Sequence, residues 1–372
     1  MARARVTGIA MDSMLFEGVA EQAGHLGGRL VVRSSAPVES EGVWAGAFAS
    51  YAELAPDEVA LGVKGCWASV FAPDALGRAK ASGQEPHRLG MAVLIQPEIV
   101  PDFGGVATVS DSGTVTIIAT TGAPAAIVSG WERGVVAVVD GEGPKPEAAS
   151  AEIGRDRLVA IADLARRTAA LIGMHHIEWA EAEGRLWLLQ AQSAAPRRPR
   201  QSALSSSAGK YDESDLSVEE LTRLVDEEGE RRKAEGRLGM TKWEPALFQA
   251  ALSQSPTWEG EAAAGGWGAG RIRFIRDAGD AEHFRPREVL AAMYPLNNLA
   301  PLLWDAAGVV TIGGSPGAHL FEVAAWLGLP AVCGVDLEAA AGLAMDQLRD
   351  NRSIVAAVDG DAGTVNILLA GP

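Results

Sequence analysis

Residues 311–335 constrain the fold more than any other stretch of this chain, because a strand end, a glycine turn and a helix follow one another there. The β-branched run 309–312 predicts the end of a buried strand. Gly313 and Gly314 allow a tight turn that brings backbone N–H groups close to whatever binds there. The stretch therefore predicts a strand, a turn and a helix in that order.

One histidine lies at the start of the predicted helix. Ser315 is a good N-cap, Pro316 suits the first helical position, and Gly328 with Pro330 ends the helix, so His319 falls in the opening turn. An imidazole beside a helix N-terminus suits a nucleophile that carries a phosphoryl group, because the N–H groups and the dipole stabilise a dianion. On the local geometry alone, a histidine without a chemical role is the alternative.

Composition narrows the class of protein. The chain has 372 residues, enough for two or three domains, and 48% of them are hydrophobic, which predicts a globular fold. A formal net charge of −16 argues against nucleic acid or an anionic membrane as a partner. Cys66 and Cys333 lie in apolar stretches and predict a reducing, cytoplasmic location without disulfides. No signal peptide, membrane span or zinc-ligand cluster is evident.

Residues 27–35 predict a short buried strand that ends in an arginine and two serines. The guanidinium of Arg33 and the hydroxyl of Ser34 are donors that can hold phosphate oxygens. A solvated or salt-bridged arginine is the alternative at such a position.

Residues 176–192 predict two strands joined by a tight turn. If the loop consists of residues 183–185, Glu178 and Gln190 lie opposite each other and share a face. A carboxylate and an amide oxygen on one face make a platform for Mg²⁺ with nucleotide phosphates, and a solvated pair is the alternative. His176 is predicted to be a strand residue and not a metal ligand.

The remaining elements are predicted from periodicity and turn signals. Residues 91–97 predict a strand, 99–110 the hairpin that follows it, and 114–119 and 135–139 further strands. Residues 151–172 predict an amphipathic helix. Its core-facing stripe consists of Ile153, Leu158, Ile161, Leu164, Ala165, Ala169 and Ile172.

Three stretches resemble the PEP-utilising enzymes, the family of phosphoenolpyruvate synthase, pyruvate phosphate dikinase and rifampicin phosphotransferase. They are R-S-S-A at 33–36, I-E-W-A followed by L-L-Q-A within 176–192, and GG-x-x-x-x-H followed by LGLPAVCG within 313–334. The resemblance implies that Arg33 contacts ATP phosphates, that Glu178 and Gln190 bind Mg²⁺, and that His319 carries the phosphoryl group.

Several positions depart from the family pattern. Ala318 stands where the family has Ser or Thr, Ala125 replaces a glutamate, His176 replaces an aspartate, and Gln192 replaces an arginine that would contact phosphate. A glycine-rich Gly-Lys segment before Arg33 and a PEP/pyruvate barrel are also missing from this sequence.

The resemblance implies an α/β (α+β) chain with two functional domains. Residues 1–196 would form an abbreviated ATP-grasp-like nucleotide-binding domain whose first lobe is truncated. Residues 197–258, Ser-rich and then charged, would form a flexible and helical linker. Residues 259–372 would form a swivelling β/β/α phosphohistidine domain.

Two hypotheses on function follow. In the first, the chain is an enzyme that passes a phosphoryl group from ATP, through His319, to an unidentified small-molecule acceptor. In the second, it is a non-catalytic or half-catalytic subunit that works with a protein partner supplying the missing ATP lobe or an acceptor domain.

Overall fold

The computed structural model of the chain describes residues 13–40, 42–145, 152–193, 257–337 and 354–369. The chain divides into two compact units, which we call unit 1 (Met1–Ala125 and Val135–Ala194) and unit 2 (Ala126–Gly134 and Ala195–Pro372). Nearly all of the predicted linker, up to residue 256, falls outside the described residues. The three predicted domains therefore stay a prediction.

The regular elements alternate helices and strands along the chain. The helices are α1 (Ser13–Leu26), α2 (Val59–Ser69), α3 (Pro73–Ala81), α4 (Ala125–Val128), α5 (Arg155–Ile172), α6 (Ala278–Glu282) and α7 (His319–Leu327). The strands of unit 1 are β1 (Leu30–Ser35), β2 (Tyr51–Leu54), β3 (Ala92–Pro97), β4 (Phe103–Val109), β5 (Val115–Thr121), β6 (Val135–Asp140), β7 (Gly143–Pro144), β8 (His176–Ala182) and β9 (Arg185–Gln192). Those of unit 2 are β10 (Thr257–Glu259), β11 (Glu261–Ala264), β12 (Trp267–Ile275), β13 (Val289–Ala292), β14 (Gly308–Thr311), β15 (Ala331–Cys333), β16 (Ile354–Asp359) and β17 (Thr364–Leu369).

A small antiparallel sheet in unit 1 has β1 at its centre, between β2 and β3. Because side chains alternate along a strand, Leu30 and Val32 face inward, and α2 covers them. Val59, Val63 and Cys66 of α2 complete this core. The alternation leaves Arg33 on the opposite face of β1.

A second sheet in unit 1 has the order β7-β6-β5-β4-β8-β9, and every neighbouring pair is antiparallel. Helix α5 packs across one face, where the buried side chains Leu158, Ile161 and Ala165 meet Ile177 and Trp179 of β8. The residues that alternate with those two along β8, which are His176, Glu178 and Ala180, point to the other face. One face of this sheet is thus apolar core, and the other is open to polar groups.

Two predictions for unit 1 are wrong in detail. Residues 99–110 do not form a hairpin, because they contain the single strand β4, which pairs with β5 and β8, whereas the strand predicted at 91–97 is confirmed as β3. In α5, burial ends at Thr168, so Ile172 is exposed and does not belong to the core stripe. The strands predicted at 114–119 and 135–139 are confirmed as β5 and β6.

The sheet of unit 2 is mixed, with the order β10-β17-β16-β12-β13-β14-β15-β11. Strands β12 to β15 run parallel, and α7 packs against the 3₁₀ helix Asn297–Trp304. The strands predicted in residues 355–369 are confirmed as β16 and β17.

Residues 126–134 pack within unit 2, although the flanking chain belongs to unit 1. Arg133 forms an ion pair with Glu261 of β11, and the ring of Trp131 lies 5.6 Å from that of Tyr294. In the part of the chain that the structure describes, no helix has the length and hydropathy needed to cross a membrane.

Candidate functional site

The first candidate site is a polar cluster on the face of the larger unit 1 sheet that α5 does not cover. Ile177 and Trp179 of β8 are fully buried against α5, so His176 and Glu178 point the other way. Glu178 is nevertheless only 7% exposed. A carboxylate so far removed from water needs a compensating charge or hydrogen bonds.

Glu178 and Gln190 lie opposite each other across β8 and β9, as predicted, but for a different reason. The loop is two residues long, Glu183 and Gly184, both with positive φ (52° and 71°), and not three. Such a loop would by itself place Leu189 opposite Glu178. A β-bulge at Leu189 restores the pairing by adding one residue to β9.

Arg33 comes from the small sheet of unit 1 and reaches the same two side chains. Its Nη2 donates a hydrogen bond to Oε1 of Gln190 at 2.8 Å and lies 3.8 Å from Oε2 of Glu178. The guanidinium is partly shielded, since the Arg33 side chain is 23% exposed. The structure thus brings together three of the predicted site residues, which are up to 157 positions apart.

One further polar side chain extends this cluster, and another lies on the same face of the sheet. Gln190 Nε2 donates to Oε1 of Gln192 at 3.4 Å, which puts the residue found in place of the family arginine beside the site. His176 lies in β8, as predicted, with its Nδ1 2.8 Å from Thr108 Oγ1. Thr108 was not predicted as a site residue. The strand register of β4 and β8 places it opposite His176.

Ser34 lies outside the cluster. It follows Arg33 in β1, and strand alternation turns its side chain to the opposite face. Its contact with nucleotide phosphate stays a prediction.

The chemistry of the cluster fits both groups that the sequence implied. A carboxylate oxygen and an amide oxygen on one face are hard ligands of the kind that Mg²⁺ prefers. A guanidinium beside them can bind phosphate oxygens through parallel N–H donors. Glu178 and Gln190 could therefore hold Mg²⁺ while Arg33 binds the phosphates of ATP.

The second candidate site is the start of α7 in unit 2. His319 is the first residue of this helix, and Ala318 is its N-cap. The predicted N-cap Ser315 and first helical residue Pro316 are wrong, because the Ser315 hydroxyl accepts a bond from the Gly317 N–H and holds a turn before the helix. The helix end is confirmed, since Gly328 adopts the left-handed conformation with φ of 70°.

A carboxylate faces the imidazole. His319 Nδ1 lies 3.4 Å from Glu322 Oε2, and both side chains are 14% exposed. Glu322 was not predicted as a site residue, although the spacing of three positions on a helix is a signal that could have found it.

The glycine turn before the helix packs closely against its own unit. The Gly313 N–H donates to Met293 O at 2.8 Å and is thus occupied within the fold. Gly314 has a φ of 96°, and a Cβ there would lie 2.3 Å from Pro295 Cδ. The pair allows close packing, and the Gly313 N–H is not among the N–H groups that the turn is predicted to bring close to a ligand.

Comparisons with known proteins support the nucleotide-binding half of this picture. Residues 13–140, which include Arg33 but not Glu178 or Gln190, match the family described as pyruvate phosphate dikinase, AMP/ATP-binding domain. A probable phosphoenolpyruvate synthase of Methanothermobacter thermautotrophicus is 22% identical over 347 residues, which is 90% of this chain and 46% of the synthase.

Two other relatives match shorter stretches. An uncharacterized phosphotransferase of Bacillus subtilis, YvkC, is 31% identical over 109 residues, 29% of this chain and 12% of its own length. Chondramide synthase of Chondromyces crocatus is 32% identical over 109 residues, 29% of this chain and 3% of the synthase. Among solved structures, aconitase X of Thermococcus kodakaraensis (holo form) covers 30% of this chain and 98% of its own, at 19% identity and a TM-score of 0.22, which is too low to carry an argument.

This chain thus spans less than half the length of each of these curated relatives. Residues 13–140 match the AMP/ATP-binding domain of pyruvate phosphate dikinase, and 90% of the chain is similar, at 22% identity, to a probable phosphoenolpyruvate synthase.

Proposed function

We propose that this chain is an ATP-dependent phosphotransferase that passes a phosphoryl group from ATP, through His319, to a small-molecule acceptor. The observation that carries the proposal is the convergence of Arg33, Glu178 and Gln190 within unit 1, which contains most of the AMP/ATP-binding match.

The cluster supplies what phosphoryl transfer mainly requires, which is charge neutralisation and alignment. Arg33 binds phosphate oxygens, and Glu178 with Gln190 holds Mg²⁺. When bound, the metal neutralises the charge that develops on the phosphate oxygens. The low exposure of Glu178 keeps water away from this ligand and strengthens its interaction with a cation.

His319 is the nucleophile in this proposal. The Glu322 carboxylate beside Nδ1 favours the tautomer that keeps its proton on Nδ1, so that Nε2 carries the lone pair. A bond forms between Nε2 and the β-phosphorus as the bond from that phosphorus to the α,β-bridging oxygen breaks, and AMP leaves with the electron pair. Water then removes the terminal group as phosphate. Use of the β position and release of AMP are what similarity to the dikinases implies.

The second candidate function is a half-catalytic subunit that depends on a partner. Gln192, which has no charge, lies beside Gln190 where similarity to the family leads one to expect a phosphate-binding arginine. A partner that supplies an arginine or a closing lobe would complete such a site. The acceptor domain would also come from the partner.

Radiolabelling tests both functions. Protein incubated with Mg²⁺ and ATP labelled at the β-phosphate should retain an acid-labile, base-stable label, and His319→Ala should remove the label while leaving ATP binding unchanged. A matched control is His283→Ala, because His283 is an exposed histidine of the same unit.

The outcomes separate the two functions. Label on the isolated chain supports the enzyme, whereas label that requires added candidate partner proteins supports the half-catalytic subunit. Label that persists in a folded His319→Ala protein contradicts the role of His319.

A further inference from the structure

The cluster in unit 1 contains a cation of its own, at the place where a metal would bind. Arg33 Nη2 is 2.8 Å from Gln190 Oε1 and 3.8 Å from Glu178 Oε2, so it lies within reach of both oxygens that the proposed function assigns to Mg²⁺. A metal held by those oxygens would stand about 2.1 Å from each of them. The guanidinium and the metal cannot both occupy that position.

The charge of Glu178 explains why the guanidinium lies there. The Glu178 side chain is 9% exposed, and a carboxylate with so little solvation is costly unless a positive charge is nearby. Among the described residues, Arg33 is the ion-pair partner that the structure gives it. The distance of 3.8 Å permits electrostatic compensation, while the hydrogen bond of the guanidinium goes to Gln190.

We propose that Arg33 acts as an internal counter-ion that excludes divalent cations from Glu178 and Gln190 until nucleotide phosphates draw its guanidinium away. This inference rests on the metal role of those two residues in the proposed function. It adds an order to binding: the metal alone is repelled, and the nucleotide both removes Arg33 and brings its own ligands.

The same geometry makes metal and nucleotide binding mutually dependent. A phosphate group that accepts hydrogen bonds from Arg33 frees the oxygens of Glu178 and Gln190, so nucleotide raises the affinity for metal. Because coupling of two binding equilibria is reciprocal, metal raises the affinity for nucleotide by the same factor. Removal of the guanidinium should abolish the part of this coupling that comes from competition.

Binding of Mn²⁺ without nucleotide tests the inference directly. Free Mn²⁺ is measured by electron paramagnetic resonance during titration of the wild type and of Arg33→Met. We expect Arg33→Met to bind Mn²⁺ at least about tenfold more tightly than the wild type, a typical coupling between two sites. Arg33→Gln, which keeps a polar side chain, is the second variant of the same test should Arg33→Met fail to fold.

Three control variants isolate the local effect. Arg29→Met removes the same charge from an exposed pair with Glu53, at 63% and 76% exposure, so it reports how far loss of any positive charge raises affinity for Mn²⁺. Glu178→Gln added to Arg33→Met should abolish the gain, because the metal then loses its charged ligand. Arg33→Lys keeps a cation and should stay close to the wild type.

Mn²⁺ binding by Arg33→Met that is no tighter than by Arg29→Met overturns the inference. A gain that survives Glu178→Gln also overturns it, because the metal would then bind elsewhere. The labelling of His319 is a separate measurement, so failure of the proposed phosphoryl transfer and failure of the counter-ion role give different results.

Discussion

The two candidate sites differ in how the chain assembles them. The cluster of Arg33, Glu178 and Gln190 draws on separate sheets and spans 157 positions of sequence, whereas His319 and Glu322 are three positions apart on one helix. The first site depends on strand register and on the packing of one sheet near another. The second depends on where a helix begins.

This difference predicts how each site responds to change. The residues that define the start of α7 are close together in sequence, and the chemistry of this site is carried by two side chains. The cluster holds a nearly buried charge, so the loss of one member leaves the others uncompensated. We therefore expect substitutions in the cluster of unit 1 to lower both ATP binding and labelling, and substitutions at the helix start of unit 2 to lower labelling alone.

The largest expected effect distinguishes the two sites by whether a substitution lowers ATP binding as well as labelling. Glu178→Gln should lower both Mg²⁺-dependent ATP binding and labelling of His319 by at least about 100-fold, because the metal loses its charged ligand. His319→Ala should remove only the label. Glu183→Gln, an exposed acid at the turn of the same hairpin, is the matched control, and calorimetry with radiolabelling gives both quantities. Equal loss of ATP binding in Glu178→Gln and Glu183→Gln would contradict the assignment.

The reactivity of one buried cysteine in each unit measures how readily that unit opens to solvent. Burial raises the pKa of Cys66 to about 11 and that of Cys333 to about 12, and the Cys66 thiol also donates to Ala49 O at 3.2 Å. At pH 8 both should react with a disulfide reagent at least about 100-fold more slowly than a free thiol, and Cys333 more slowly than Cys66, because little thiolate is present. Absorbance of the released thiol checks this. Rapid reaction of one cysteine would mean that its unit opens readily.

The same pKa shifts predict a pH effect on folding. Both folded pKa values are raised above the ordinary value of 9.0 for a thiol, so the neutral thiols stabilise the fold below about pH 9. The free energy of unfolding should therefore fall as the pH rises from about 9 through 11 and 12. Urea titrations at several pH values measure it, with Cys66→Ala and Cys333→Ala as controls that should flatten the dependence.

A smaller effect is expected beside His319. Glu322→Gln should slow labelling about tenfold, since the carboxylate no longer favours the tautomer with its lone pair on Nε2. ATP binding should not change. Glu282→Gln, at an exposed acid of α6 in the same unit, removes the same charge as a control. Unchanged labelling rates in Glu322→Gln would show that this carboxylate has no part in the transfer.

The smallest effect compares the C-terminal ends of two helices, α7 and α5. Gly328 ends α7 and Gly173 ends α5, with φ of 70° and 71°. Alanine at either position should cost about 1 kcal/mol of unfolding free energy, because a side chain is strained in the left-handed conformation. Urea denaturation measures both. A cost of several kcal/mol at one of them alone would show that the two ends are not equivalent.

The local site was largely readable from sequence. Residues 309–335 predicted the strand, the turn and the helix, and Gly328 marked its end. The start of the helix was missed because Ser315 bonds to Gly317 in a turn, and a side chain can cap either structure. Glu322 could have been predicted from the rule that residues three positions apart on a helix are neighbours.

The cluster was readable only in part. The pairing of Glu178 with Gln190 was right, yet it resulted from two errors of one residue that cancel, in loop length and in the missing bulge. The sequence gives no information on how the β1 sheet packs near β8 and β9. The contact of Arg33 with Gln190 therefore required the three-dimensional structure, as did the contact of Thr108 with His176.

The bulge at Leu189 gives the hairpin an unusual tolerance to changes of length. Deletion of Leu189 would remove the unpaired residue and leave Gln190 opposite Glu178, whereas deletion of one residue from the Glu183–Gly184 loop would turn Gln190 toward α5. A one-residue insertion in the loop would be cancelled by loss of the bulge. In evolutionary terms, loop and strand can exchange a residue while the pair that faces Arg33 stays in place.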